Sequence, residues 1–234
     1  MSAGGPILLI DTATTHAVVA LGAADGSLVE QRSWLAGYRH GEELLARIDS
    51  LLADRGVAPT DIGAVAVGTG PGAFTGLRVG IATAKGLAHA LSVPIVGVAT
   101  GIALLDAAGA AAGSGAGSLV LLQPAGPNDR VLTRRAEPPA ILPGGTDPDL
   151  RPGERLVAVD LAGRADDAAV ALGASAVDGL AAAMLSTAAG RLAADDADDL
   201  ATLAPEYVTL PRGVRMPPTD AGVEVSGSTG RDRA

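Results

Sequence analysis

Residues 68–91 read GTGPGAFTGLRVGIATAKGLAHAL, and this stretch decides the fold. It places Gly68, Gly70, Pro71 and Gly72 directly after the apolar run 62–67 and ahead of a helical pattern. Glycine reaches backbone conformations that other residues resist, so the segment is a tight strand-to-helix turn. Thr75 stands where an N-cap is expected. A glycine-rich turn feeding a helix offers free N–H donors at a positive dipole end, the makings of an anion site. The spacing fits neither the dinucleotide fingerprint nor a Walker loop, because Lys85 is followed by Gly86 instead of Ser or Thr.

The helix that follows carries Gly76, Gly80, Ala84 and Ala88 at every fourth position, with Leu77, Ile81, Leu87 and Leu91 beside them. Two interior glycines cost about 1 kcal/mol each relative to alanine, which close approach by another element would offset. Two readings fit: packing against the chain's own core, or a surface for a partner protein.

Outward from that stretch, residues 7–12, 16–23 and 27–35 read as three strands, the last two joined by an Asp25-Gly26 hairpin signal. Residues 42–55 form an amphipathic helix through Leu44, Leu45, Ile48, Leu51 and Leu52, stopped at Gly56. Strands at 62–67 and 93–98 flank the glycine-rich turn and its helix, and another helix starts near Gly101, capped by Thr100. The order β-β-β-α-β-α-β-α predicts a mixed sheet with helices on its faces. It is the plan of the actin-like, sugar-kinase and chaperone ATPase superfamily, an α/β fold in which an Asp-Thr pair after the first strand binds metal and phosphate. Here that pair is Asp11 and Thr12.

Further on, residues 107–117 loosen into Ala, Gly and Ser. Strands follow at 119–122, 130–136 and 156–160, around a proline-rich loop at 138–153 that suits neither helix nor central strand. A helix is expected over 175–192, a solvated acidic end at 195–199 and disorder from 211. The expected domains are 1–106, with the C-terminal segment packing back on it, a reduced second domain at 107–210, and a tail at 211–234.

Composition narrows function. The chain carries 26 acidic and 17 basic residues, a net charge of −9, and its aromatics are Trp34, Tyr38, Phe74 and Tyr207. Nucleic-acid binding wants the opposite charge and stacking platforms, so any RNA is held chiefly by another protein. Cysteine is absent, which removes disulfides and thiolate chemistry. No run of eighteen apolar residues and no basic leader are apparent, so the expectation is a cytoplasmic protein off the membrane.

Two segments together resemble the bacterial TsaB (YeaZ) family of tRNA threonylcarbamoyladenosine biosynthesis: ILLIDTATTHAVVAL at 7–21 and GTGPGAFTGLRVGIATAKGLA at 68–88. The ending PEYVTLPR at 205–212 is similar to the family's as well. Where members carry an Asp-Ala-Arg-x-Gly-Glu-Val-Tyr hairpin, this chain has QPAGPNDRVL at 123–132. The resemblance implies an actin-like fold with no catalysis or cofactor of its own. It implies pairing with the larger paralogue TsaD, which carries ATP or ADP and a metal, together with the ATPase TsaE. Contact with tRNA comes only through the complex, and for the chain alone a homodimer and a monomer are both open. The paralogue would meet the helices at 42–55 and 75–91, through Leu44, Leu45, Ile48, Leu52, Phe74, Gly76, Leu77, Gly80, Ile81 and Ala84.

Individual residues keep two readings each. Asp11, Thr12, Gly70, Gly72, Thr75 and Arg78 make a vestigial phosphate or nucleotide site. Alternatively, Asp11 caps its turn on the backbone of Ala13 or Thr14, and Arg78 meets a partner carboxylate or solvent. Lys85 is a surface residue and His40 a cap or rim residue. Phe74 is a plug in the fold's own cleft or an anchor for a partner. His16, His40 and His89 are too far apart in sequence for a helical zinc pair. The alternative function is an ATP-dependent small-molecule kinase of the same fold, whose adenosine glycines could only be Gly144 and Gly145.

Overall fold

Strand β1 (Ile7–Asp11) is buried on both faces and centres the architecture. It runs antiparallel to β2 (His16–Gly22) and parallel to β4 (Ala64–Gly70). Its side chains alternate with the period of two that a pleated strand imposes. Ile7 and Leu9 enter one apolar core, and Leu8 and Ile10 the other. In this computed structural model the described residues are 4–36, 40–113 and 117–208, excluding the side chains of 40–42. The expected tail from residue 211, Tyr38 and the side chain of His40 lie outside them.

The first sheet is completed by β3 (Leu28–Leu35) and β5 (Ile95–Ala99) in the order β3-β2-β1-β4-β5. Helices α1 (His40–Asp54) and α2 (Phe74–Leu91) cover one face, where Leu44, Ile48 and Leu51 meet Val65, Val67 and Ile81. On the other face lie α3 (Thr100–Ala112) and α4 (Asp167–Ala193). Beyond them is a second sheet of β6 (Ser118–Pro124), β7 (Arg130–Thr133), β8 (Ala140–Leu142) and β9 (Glu154–Ala158), in the order β8-β7-β6-β9. Val96, Leu104, Leu121, Val157, Leu180 and Met184 share one core. The layering is therefore helices, sheet, helices, sheet, a mixed α/β architecture consistent with an actin-like fold.

Three elements differ from the sequence reading. Helix α3 continues through the small residues to Ala112, so a boundary after residue 106 cuts a helix. Alanine is the strongest helix former, and its scarcity of side chain suits the tight layer between two sheets. Helix α4 begins eight residues before 175, at Asp167, because Asp166 caps it by accepting from the Ala169 amide at 2.9 Å. By length and composition α4 could cross a membrane, but Leu180, Met184 and Leu185 are fully buried between the two sheets. The loop at 138–153 contributes β8, a three-residue edge strand.

In the acidic run after α4, Asp195, Asp196 and Asp199 are exposed as a solvated end should be, whereas Asp198 is fastened to the fold. The Asp198 amide donates to the Ile95 carbonyl at 2.8 Å, and its carboxylate accepts from the Gly97 amide at 2.7 Å. Arg191 reaches that carboxylate at 2.9 Å and Asp196 at 2.7 Å. Two carboxylates on one guanidinium raise its pKa and bolt the C-terminal strap to the edge of β5. From there the strap crosses the end of β4, where the Glu206 amide donates to the Thr69 carbonyl at 2.7 Å.

Candidate functional site

The glycine-rich turn links the end of β4 to the start of α2. Gly70 has φ of +104°, a conformation that glycine adopts without strain. At Gly68 a side chain would collide with the carboxylate of Asp11. Ala73 is the N-cap: its amide donates to Ala13 at 2.7 Å and its carbonyl accepts from Leu77 at 2.9 Å. The helix therefore begins two residues earlier than expected, and Thr75 lies exposed inside its first turn instead of capping it.

Behind the turn, the odd-numbered parity of β1 directs Asp11 toward α3. Its Oδ1 accepts from the Ala13 amide at 3.1 Å, and its Oδ2 accepts from the Thr100 hydroxyl at 2.6 Å. That hydroxyl in turn accepts from the Gly70 amide at 3.2 Å. Thr100 is thus a buried link between β1, β4 and α3, while Ala99 occupies the N-cap it was expected to hold. Burial pushes the Asp11 carboxyl up, against the two hydrogen bonds that pull it down. Both oxygens are engaged inside the fold, in the turn-capping role.

The neighbouring Thr12 explains the glycine stripe. Its hydroxyl donates to the Gly76 carbonyl at 2.7 Å, and it occupies the space where a Gly80 side chain would stand. Gly76, Leu77, Gly80, Ile81 and Ala84 are all buried within the chain, as are Leu44, Ile48 and Leu52. Of the ten residues expected to form a partner seam, eight therefore pack on the molecule's own core, which corrects that assignment. The physical reason is the helix-on-sheet distance: the stripe lets α2 settle onto β1. Leu45, 60% exposed, is free of the core, and Phe74 is half-buried.

Phe74 is covered by the strap. Its ring lies 5.1 Å from that of Tyr207, and the Arg78 guanidinium sits 4.0 Å from the Phe74 centroid. Arg78 Nε donates to the Tyr207 hydroxyl at 3.0 Å. A cavity of about 20 Å³ remains among Pro71, Gly72, Phe74, Pro124, Val131 and Tyr207. That is room for one water and not for a phosphate group. The expected vestigial site is therefore dispersed: Asp11, Thr12 and Gly70 are buried, Gly72 is wedged against Ala13, and Thr75 and Arg78 stand on the outer surface. Gly144 and Gly145 follow the edge strand β8, and Gly144 donates to Asp129 at 3.2 Å.

The solvent face of α2 is different in kind. Thr75, Arg78, Ala82, Gly86 and His89 are exposed, and a side chain at Gly86 would meet nothing within 4 Å. No carboxylate occurs anywhere in α2. The sequence singled out the buried stripe and missed this one, because both are rows of small residues and periodicity alone does not say which faces inward. One further link and two buried polar atoms escaped the sequence reading. Asp160 accepts from the Thr15 amide at 2.8 Å and its hydroxyl at 2.5 Å, tying the β1–β2 turn to the end of β9. Gln123 Oε1 and Thr133 Oγ1 are buried without a hydrogen-bond partner on neighbouring strands.

Comparison with known proteins follows this geometry. A protein-family model described as TsaD, tRNA N6-adenosine threonylcarbamoyltransferase, matches residues 34–134. The tRNA threonylcarbamoyladenosine biosynthesis protein TsaB of Escherichia coli is 44% identical over 94 residues, 40% of each chain. Its Bacillus subtilis namesake is 36% identical over 94 residues, 40% of this chain and 41% of that one. The matched stretch thus spans less than half the length of these curated relatives. The fold is similar to that of YeaZ from Pseudomonas aeruginosa, with a TM-score of 0.64 at 24% identity, covering 87% of this chain and all of that one.

Proposed function

The chain belongs to the TsaB/YeaZ family, and from that we propose that it is an accessory subunit, without chemistry of its own, in threonylcarbamoyl transfer to the adenosine 3′ of the tRNA anticodon. The observation that carries this reading is the exposed row Thr75, Ala82 and Gly86 on α2. An interior helix glycine costs about 1 kcal/mol. Gly80 recovers that cost through Thr12, whereas Gly86 meets none of the described residues. A second helix docking on that row offsets it, since small residues let two helices approach closely. Leu45 on the adjacent α1 adds exposed apolar surface. The docking partner in this reading is the larger TsaD-type paralogue, which holds the nucleotide and metal, with TsaE and tRNA joining through that pair. The engaged, buried Asp11 supports a non-catalytic role.

The test is nucleoside mass spectrometry of bulk tRNA from cells depleted of this protein. Threonylcarbamoyladenosine falls while other modified nucleosides hold. An unchanged level rejects the assignment and returns attention to ATP turnover with small-molecule substrates.

A further inference from the structure

We infer that the docking face of α2 recognises a carboxylate on its protein partner through Arg78, and that Tyr207 on the strap is the residue that positions this arginine. The inference rests on the preceding reading that α2 is a docking surface.

The chain's charge is −9, and among the described residues seven other arginines pair with carboxylates, from Arg32 to Arg191. Arg78 does not. It is held by aromatic faces, 4.0 Å from the Phe74 centroid and 5.9 Å from that of Tyr207. Its Nε is committed to the Tyr207 hydroxyl at 3.0 Å. Its two terminal nitrogens make no hydrogen bond or ion pair with any described residue. A guanidinium fixed by stacking loses little rotamer freedom on binding, and its free edge presents two parallel donors. That geometry matches a carboxylate, and arginines of this kind are typical anchors of interfaces.

Charge complementarity selects a protein over a polyanion. Helix α2 carries Arg78, Lys85 and His89 and no acid of its own, whereas α1 alongside carries exposed Asp49 and Asp54. A small basic patch inside an acidic molecule suits an acidic side chain on a partner helix. A long phosphate backbone would meet the surrounding carboxylates. Tyr207 gives the strap its purpose: Asp198 fastens the strap to β5, and its far end delivers one hydroxyl to Arg78.

The experiment is calorimetric titration of the full chain with the purified TsaD-type transferase of the same cell, at low and moderate salt. The variants are Arg78→Gln, Arg78→Lys, Tyr207→Phe, Arg78→Gln/Tyr207→Phe and Gly86→Leu, each with its melting temperature as a folding control. Arg78→Gln is expected to weaken binding about tenfold or more and to flatten the salt dependence. Arg78→Lys fails to restore it, because an ammonium cannot make the paired contact. Tyr207→Phe weakens binding about threefold in the parent chain and has no further effect beside Arg78→Gln. Loss with Gly86→Leu but not with Arg78→Gln leaves the docking face standing and overturns this inference. Additive effects of the two single changes overturn the positioning role of Tyr207. Unchanged affinity in every variant removes both the inference and the docking surface. Retained transferase affinity with weakened tRNA binding in Arg78→Gln assigns the arginine to phosphate and overturns the carboxylate.

Discussion

Gly80 and Gly86 lie on the same helix, and replacing each with alanine separates helix propensity from packing. At Gly86 the new methyl group meets open space, so the variant gains the helix-interior preference of alanine, about 0.5–1 kcal/mol. At Gly80 the same methyl collides with Thr12. Overpacking a filled core costs about 1–3 kcal/mol. If Thr12 turns aside to make room, its hydroxyl leaves the buried Gly76 carbonyl, for about 1–3 kcal/mol more. After the propensity gain, Gly80→Ala is expected to lose about 2–3 kcal/mol. The two variants should therefore differ by about 3 kcal/mol, although their chemistry and helix are identical. For a chain of this length that separates their melting temperatures by roughly 6–12 °C. Urea denaturation with a common m-value measures it directly. Gly80→Ala as stable as the parent, or Gly86→Ala less stable than it, refutes the assignment of which stripe faces the core.

Two other expectations follow from the buried links. Burial raises the Asp11 pKa above 3.8, so the folded state holds that proton more tightly than the unfolded chain. The parent therefore loses stability as pH rises from about 4 through the folded-state value and is level above it. Asp11→Asn lacks that pH-dependent loss, so denaturation midpoints of the two chains should diverge over that window and then run parallel. Parallel curves throughout would show that Asp11 is not buried as described. Removing the bolt with Asp198→Ala deprives the Gly97 amide of its acceptor and Arg191 of one of its two carboxylates and should cost about 1–3 kcal/mol. Limited proteolysis should then cut first within residues 199–208, and a parent-like digestion pattern would show that the strap is held by other contacts.

The sequence displayed the first sheet clearly because its signals were local. Alternating apolar strands, Asp25-Gly26 and the stop at Gly56 each act within a few residues, and β1 to α3 follow in the expected order. The second unit was harder for a physical reason. Its alanine- and glycine-rich segments have almost no periodic contrast, so α3 was cut short and the first eight residues of α4 were unseen. The capping threonines misled for a related reason. Thr75 and Thr100 stand where caps belong, but local propensity yields when a tertiary partner offers more. Thr100 gives its hydroxyl to the buried Asp11 carboxylate, and Ala13 holds the amide of Ala73, setting the start of α2 before Thr75 is reached.

The same limit explains the reassigned seam and directs where a partner should be sought. A stripe of small residues says that something approaches closely, without saying what. On α2 there are two such stripes, on roughly opposite faces of the helix. The inner one faces Thr12, which bonds the Gly76 carbonyl and fills the space at Gly80, while Ala84 enters the core shared with β1 and β4. Leucine at Gly80 or Ala84 would unfold α2 from its sheet, so lost binding in such variants would report folding and not contact. Among the described residues the outer stripe has no occupant. It lies beside the one stacked arginine that lacks a carboxylate, on a helix without acids, in a molecule with an excess of them. Gly86 therefore gives the cleanest probe, since a side chain there meets no described neighbour, while Arg78, stacked on Phe74 and bonded to Tyr207, is read beside Tyr207→Phe and the melting temperature.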